Sequence, residues 1–203
     1  IHTRVDPSPD GTFVLVETIQ RPYSYSVPCG RFPKKVWVAK SNGDVVREVA
    51  DLPLAENIPI VHNATRQGPR AVNWRSDKDA SLYWTEAQDE GDPRNDVSPR
   101  DVTYSVDMSV DPSATPKVMF QTDFRYGGVA WGGDDLSLLY ESWYKTRTSR
   151  VWATSPGDED PNATKRMLWE RNYEDSYNAP GSFVTRREAV SYTHLTLPTR
   201  DVV

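Results

Sequence analysis

Carboxylates, arginines and a very few histidines are the side chains whose number and spacing could support chemistry in this sequence. Three histidines occur, His2, His62 and His194, and no two stand at metal-ligand spacing. Cys29 is the only cysteine, so neither an intramolecular disulfide nor a zinc site built on several thiolates can form. A hydrolase serine is expected on a G-x-S-x-G elbow. The two glycines with that separation, Gly128 and Gly132, enclose Ala130. No P-loop and no G-x-G-x-x-G is present. Two acidic runs, Asp89, Glu90 and Asp92, and Asp158, Glu159 and Asp160, lie beside Gly and Pro and read as solvated loops. Neither offers the alternating oxygen ligands of a calcium loop. Two basic groups, Arg66, Arg70 and Arg75, and Lys145, Arg147 and Arg150, could hold an acidic ligand. They could equally be a solvated edge or ion pairs between repeats. No catalytic, cofactor-binding or metal-binding residue is assigned, and no cofactor is expected.

These side chains must be positioned by strands. Three segments share one pattern: Val5–Glu17, Val72–Glu86 and Val129–Glu141. Each holds a short apolar strand, a turn built on Asp, and a β-rich run ending at Glu. Asp bonds nearby backbone amides and so suits such turns. Asp10 to Glu17 and Asp134 to Glu141 are each seven apart. Asp77 to Glu86 is nine apart, which reads as two extra residues in the middle turn. A second half-pattern follows each copy. Lys35–Val38 precedes Asn42-Gly43 and then Val45-Val46. Arg100–Tyr104 precedes a loop and then Val118–Phe120, and Arg150–Ala153 precedes Pro156-Gly157 and then Met167–Trp169. Asn-Gly between two β-runs is a strong hairpin signal. Four short antiparallel strands, recurring with the repeat aspartates 67 and 57 residues apart, match blades of a β-propeller. The fold class is therefore all-β, a partial β-propeller of about three four-stranded antiparallel blades. Pro53 to Ile60 offers one short helical turn at most. Trp37, Trp74, Trp131 and Trp152 fall at equivalent repeat positions, so they read as packing between blades rather than as a sugar-binding platform.

Composition sets bounds. The 203 residues carry 24 Lys plus Arg against 29 Asp plus Glu, a net charge of −5, which argues against a nucleic-acid surface. Aromatic residues make up 11%, too many for a disordered chain. No apolar run reaches the length of a membrane span. The chain opens at Ile1 inside an ordered-looking unit, as a piece with its N-terminal part missing would. After Arg187 the texture changes, and Ser191–Arg200 resembles translated sequencing-adaptor read-through. The domain reading is thus 1–187 partial propeller and 188–203 non-native tail. The other reading of the tail is a short strand (Leu195, Leu197) closed by Pro198.

Several runs resemble the glutamyl endopeptidase branch of the prolyl oligopeptidase family, serine peptidases of chloroplasts with relatives in bacteria. They are Asp51–Ile60, Val72–Asp77, Ser98–Asp101, Arg125–Gly128 and Tyr140–Arg147, and the resemblance spans residues 4 to 187. It implies an N-terminal propeller capping a C-terminal α/β-hydrolase domain, with peptides as substrates and cleavage after Glu. The Ser, Asp and His of that family lie in the hydrolase domain, so no catalytic residue is carried onto this sequence. The resemblance implies the chloroplast stroma for a plant or algal source and the cytoplasm for a bacterial one. From the charge balance and the lack of a long apolar run, no nucleic-acid or membrane partner is expected. Without the resemblance, a non-catalytic propeller scaffold binding partner proteins fits the residues equally well, because function lives in sites rather than folds.

Overall fold

Residues 1–187 and 193–195 are described by the structure, a computed structural model. Among them no α-helix occurs; the one helical segment given is a 3₁₀ turn at Cys29–Arg31, and Pro53–Ile60 stays irregular. The chain divides into two units, residues 1–123 and 124–203.

The first unit holds two four-stranded antiparallel meanders. Strands β1 (His2–Pro7), β2 (Phe13–Ile19), β3 (Lys34–Lys40) and β4 (Val45–Leu52) pair in chain order. So do β5 (Arg70–Trp74), β6 (Ser81–Ala87), β7 (Asp101–Asp107) and β8 (Lys117–Thr122). Every predicted strand of the repeat is present, because each carries the β-branched and aromatic residues that a pleated sheet buries. The second strand of each sheet is the most deeply covered. Leu15 and its cross-strand partner Val38 are buried, and Ser81 to Thr85 are buried without a break. That unbroken burial marks a strand covered on both faces.

The two sheets are joined by named contacts. Arg4 on β1 donates to the Val72 carbonyl at 2.7 Å and to Asn73 Oδ1 at 2.8 Å on β5. The Trp74 indole donates to the Asp6 carbonyl at 3.0 Å. The Arg47 guanidinium lies 5.9 Å from the Trp84 ring centre and donates to the carbonyls of Pro112 and Ala114. Trp74 thus packs between sheets, as its repeat position predicts.

The middle turn needs correction. It runs 75–80 between β5 and β6, against 8–12 between β1 and β2, so it is one residue longer, not two. The second extra residue lies within β6. Glu17 and Glu141 are fifth in their strands, where β6 places Thr85, and Glu86 follows one position later. Thr85 is buried and shares a hydrogen bond with Thr103 at 2.8 Å, a site too enclosed for an unpaired carboxylate.

The second unit holds a third four-stranded meander: β9 (Arg125–Trp131), β10 (Ser137–Trp143), β11 (Thr148–Thr154) and β12 (Arg166–Asn172). Leu138, Leu139 and Val151 form its core with Trp131. A short pair, β13 (Thr185–Arg187) with β14 (Thr193–Leu195), follows, β14 lying beside β9. Leu195 lies in this short strand, while Leu197 and Pro198, the rest of the second reading of the tail, lie outside the described residues. Residues 188–192 and 196–203, the remainder of the expected non-native tail, lie outside the described residues.

Candidate functional site

Alternate connections of a meander fall at the same end. In the first unit the two ends differ sharply. One carries the short connections 8–12, 41–44, 75–80 and 108–116, and the other carries the long loops 20–33, 53–69 and 88–100. Long ordered loops on a rigid scaffold are where binding residues concentrate.

The three loops bind one another. The Arg66 guanidinium donates to the carbonyls of Pro53 at 2.8 Å and of Gly30 and Phe32 at 3.4 Å. The Ala55 amide donates to the Arg31 carbonyl, Arg31 Nη1 to the Ile58 carbonyl at 3.3 Å, and Ser24 Oγ to Glu56. The Thr65 amide donates to the Gly91 carbonyl at 3.0 Å. At Gly91, φ is +78°, and a Cβ would sit 2.1 Å from the Thr65 carbonyl oxygen, so the loops meet where only glycine fits.

Loop 88–100 is closed by a buried ion pair. Asp89 is 1% exposed; its Oδ2 accepts from Arg100 Nη1 at 2.7 Å and its Oδ1 from the Gly91 amide at 3.0 Å. Arg100 also donates to the Asn95 carbonyl. This corrects the solvated reading of the first acidic run. Asp89 is structural, because a carboxylate can be buried once a guanidinium and an amide replace its water. Glu90 is exposed, and Asp92 stays at the surface, where hydrogen bonds from Arg94 hold its carboxyl down at about 2. In the second run Asp158, Glu159 and Asp160 are exposed, and Asp160 accepts the Asn162 amide in a turn.

The two basic groups are dispersed. Arg70 pairs with buried Asp101, and Arg75 with Asp77 through two bonds at 2.7 and 3.0 Å. Arg66 holds backbone carbonyls only; burial lowers its pKa, with the Glu17 charge acting the other way. In the second unit Arg150 binds Glu170, lies 3.7 Å from Glu141 and stacks over Phe124 at 3.9 Å. Buried Glu141 accepts from the Trp152 indole and the Phe124 amide. Arg147 lies over the Tyr144 ring and pairs with Glu174 at 3.1 Å, while Lys145 is exposed. Neither basic group converges on one point, and these ion pairs of Arg70, Arg75, Arg147 and Arg150 each lie within one repeat, not between repeats as expected.

Two open grooves flank loop 53–69. One, of about 610 Å³, runs along β4 and is lined by Leu52, Leu54, Ile58, Arg66 and their neighbours. The other, of about 310 Å³, is lined by Arg31, Pro59, Ile60, Val61, His62 and Ala64. Ile60 is 96% exposed, and Tyr23, Tyr25 and Val61 are exposed on the same loops. Among the described residues no group of three His, Cys, Asp or Glu is placed to hold a metal ion. Sequence reasoning missed Arg31. The signal was present: residues 18–43 and 57–76 contain no Asp or Glu, although acids outnumber bases in the whole chain.

Meandering four-stranded sheets repeated along the chain, with long loops gathered at one end of the first unit, are compatible with part of a β-propeller. The chain is 47% identical over 190 residues to a protein of Oryza sativa subsp. japonica named "Probable glutamyl endopeptidase, chloroplastic". It is 50% identical over 189 residues to a protein of the same name from Arabidopsis thaliana. These alignments take in 94% and 92% of this chain but 20% and 19% of the relatives, so the chain spans about a fifth of their length. No protein-family model matches.

Proposed function

We propose that this chain is part of a β-propeller that stands over the catalytic domain of a chloroplast serine endopeptidase and restricts which peptides reach it, with cleavage after Glu. The observation that carries this is identity of 47–50% over nearly the whole chain to proteins named as glutamyl endopeptidases. The strings Asp51–Ile60, Val72–Asp77 and Tyr140–Arg147 that suggested the resemblance occupy strands and loops of three repeated sheets. The chemistry belongs to the part of the protein beyond this sequence. There a serine attacks the peptide carbonyl, a histidine takes its proton, and oriented N–H groups hold the oxyanion. The sheets contribute access control, because a rigid ring of strands admits chains and excludes bulk folded protein. The stroma is the compartment this reading gives.

The test is the whole protein, made from the extended reading frame and assayed on blocked fluorogenic peptides ending in Glu, Gln or Leu. Cleavage after Glu that a serine-directed phosphonate abolishes is expected, with the 203-residue chain alone inert. A whole protein that carries further repeats, no nucleophile elbow and no cleavage after Glu overturns the reading in favour of a scaffold.

A further inference from the structure

Most arginines of the described residues in the first unit are balanced by a carboxylate: Arg4 by Asp6, Arg70 by Asp101, Arg75 by Asp77, Arg94 by Asp92 and Arg100 by Asp89. Arg31 is not. Its guanidinium donates to the Ile58 carbonyl at 3.3 Å, and the neighbouring Arg66 likewise holds only carbonyls. Arg21, on the same loop as Arg31, lies 5.7 Å from the Tyr23 ring. A carbonyl dipole satisfies a guanidinium's hydrogen bonds but leaves its net charge. The loop layer is therefore locally cationic on a chain of net charge −5. Glu56, at the edge of this layer, accepts from Ser24 Oγ at 2.7 Å and keeps its charge, but Arg21, Arg31 and Arg66 outnumber it. Arg31 also lines the 310 Å³ groove, whose other walls are Pro59, Ile60, Val61, His62 and Ala64. The walls are fixed rather than loose, since the loops are cross-bonded through Ala55, Arg66 and Thr65.

A half-buried cation without a carboxylate partner, set in an apolar groove, matches one kind of ligand: an acidic side chain flanked by apolar residues on an extended peptide. We propose that this groove binds acidic peptide segments, Arg31 pairing with the carboxylate while Ile60 and Val61 cover the flanking side chains. In the wider reading it is a recognition site on the propeller for acidic peptides. The proposal rests on the function above only in taking a peptide as the ligand. The charge pattern itself is independent of that reading, because it comes from two acid-free stretches, 18–43 and 57–76, brought to one end of the unit.

The experiment is calorimetric titration of the full chain with two blocked pentapeptides, Ac-Tyr-Leu-Glu-Glu-Leu-amide and its Gln-Gln twin. The Glu peptide is expected to bind more tightly by about fivefold or more, ~1 kcal/mol, and to weaken as salt is raised. Arg31→Gln keeps a donor for the Ile58 carbonyl and removes the charge; it should abolish the preference with an unchanged melting curve. Lys145→Ala, an exposed cation of the second unit, should bind as wild type. Equal binding of the two peptides, or an unchanged preference in Arg31→Gln, overturns the site. A whole protein that cleaves after Glu while the groove shows no preference refutes the site and leaves the function standing. Preference at the groove without any cleavage by the whole protein refutes the function and leaves the site.

Discussion

Replacing Arg100 by Met is expected to be the most damaging of the simple loop substitutions. The change keeps an unbranched apolar stem and removes the cation. Asp89 Oδ2 then loses its 2.7 Å partner in a place where the residue is 1% exposed, and the Asn95 carbonyl loses its donor. Removing one member of a buried pair costs about 3–5 kcal/mol, because the other keeps its charge and loses the compensation its partner gave. At roughly 4 °C per kcal/mol for a unit of this size, the melting midpoint should fall by ~12–20 °C. The double variant Arg100→Met, Asp89→Asn also removes the charge that Arg100 compensated and keeps an acceptor for the Gly91 amide, so it should recover part of that loss. The assay is urea unfolding of the full chain followed by tryptophan fluorescence, run as a double-mutant cycle. If Arg100→Met costs less than about 1 kcal/mol, or the double variant is no better than the single one, the clasp does not hold loop 88–100, and the argument for a rigid loop layer fails.

Gly91→Ala should destabilise by about 2 kcal/mol or more, since it joins a positive φ to a Cβ only 2.1 Å from the Thr65 oxygen; chemical denaturation measures this. Glu17 governs part of the acid response. Burial alone would raise its carboxyl, and the bonds and charges of Lys34, Thr3 and Arg4 bring it below the ordinary 4.5. A carboxyl depressed in the folded state adds stability that is complete above the unfolded value and is lost as pH falls through the folded one. Between pH 6 and pH 3 Glu17→Gln should therefore flatten the fall in stability, by up to about 1 kcal/mol for so partly exposed a pair. Arg47→Ala, which removes bonds to Pro112 and Ala114 and the contact with Trp84, should cost ~2 kcal/mol in the same denaturation series. Ending the chain at Arg187 should leave the midpoint unchanged or raise it, and a fall of several degrees would mean that residues 188–203 belong to the fold.

The strands were legible in the residues because what makes a strand is local. Alternating β-branched and aromatic side chains, with Asn42-Gly43 or an Asp turn between them, define a hairpin within a few residues. The repeat then set how many sheets to expect, and Trp74 marked a face that meets the neighbouring sheet, as its bond to Asp6 shows, whereas the Trp152 indole binds Glu141 within its own sheet. Charge was legible only as a total. Whether Asp89 is solvated or sealed depends on Arg100, eleven residues away, closing back over it, and its neighbour Asp92 in the same run stays at the surface. The register of Glu86 was likewise hidden, since one extra residue in β6 hands the enclosed position to Thr85. Arg31 and Arg66 look like any other surface cations until the loops 20–33 and 53–69 are folded onto one end of the unit. Propensity acts over neighbouring residues, but desolvation and ion pairing depend on which distant groups share a small volume, and only the tertiary structure decides that.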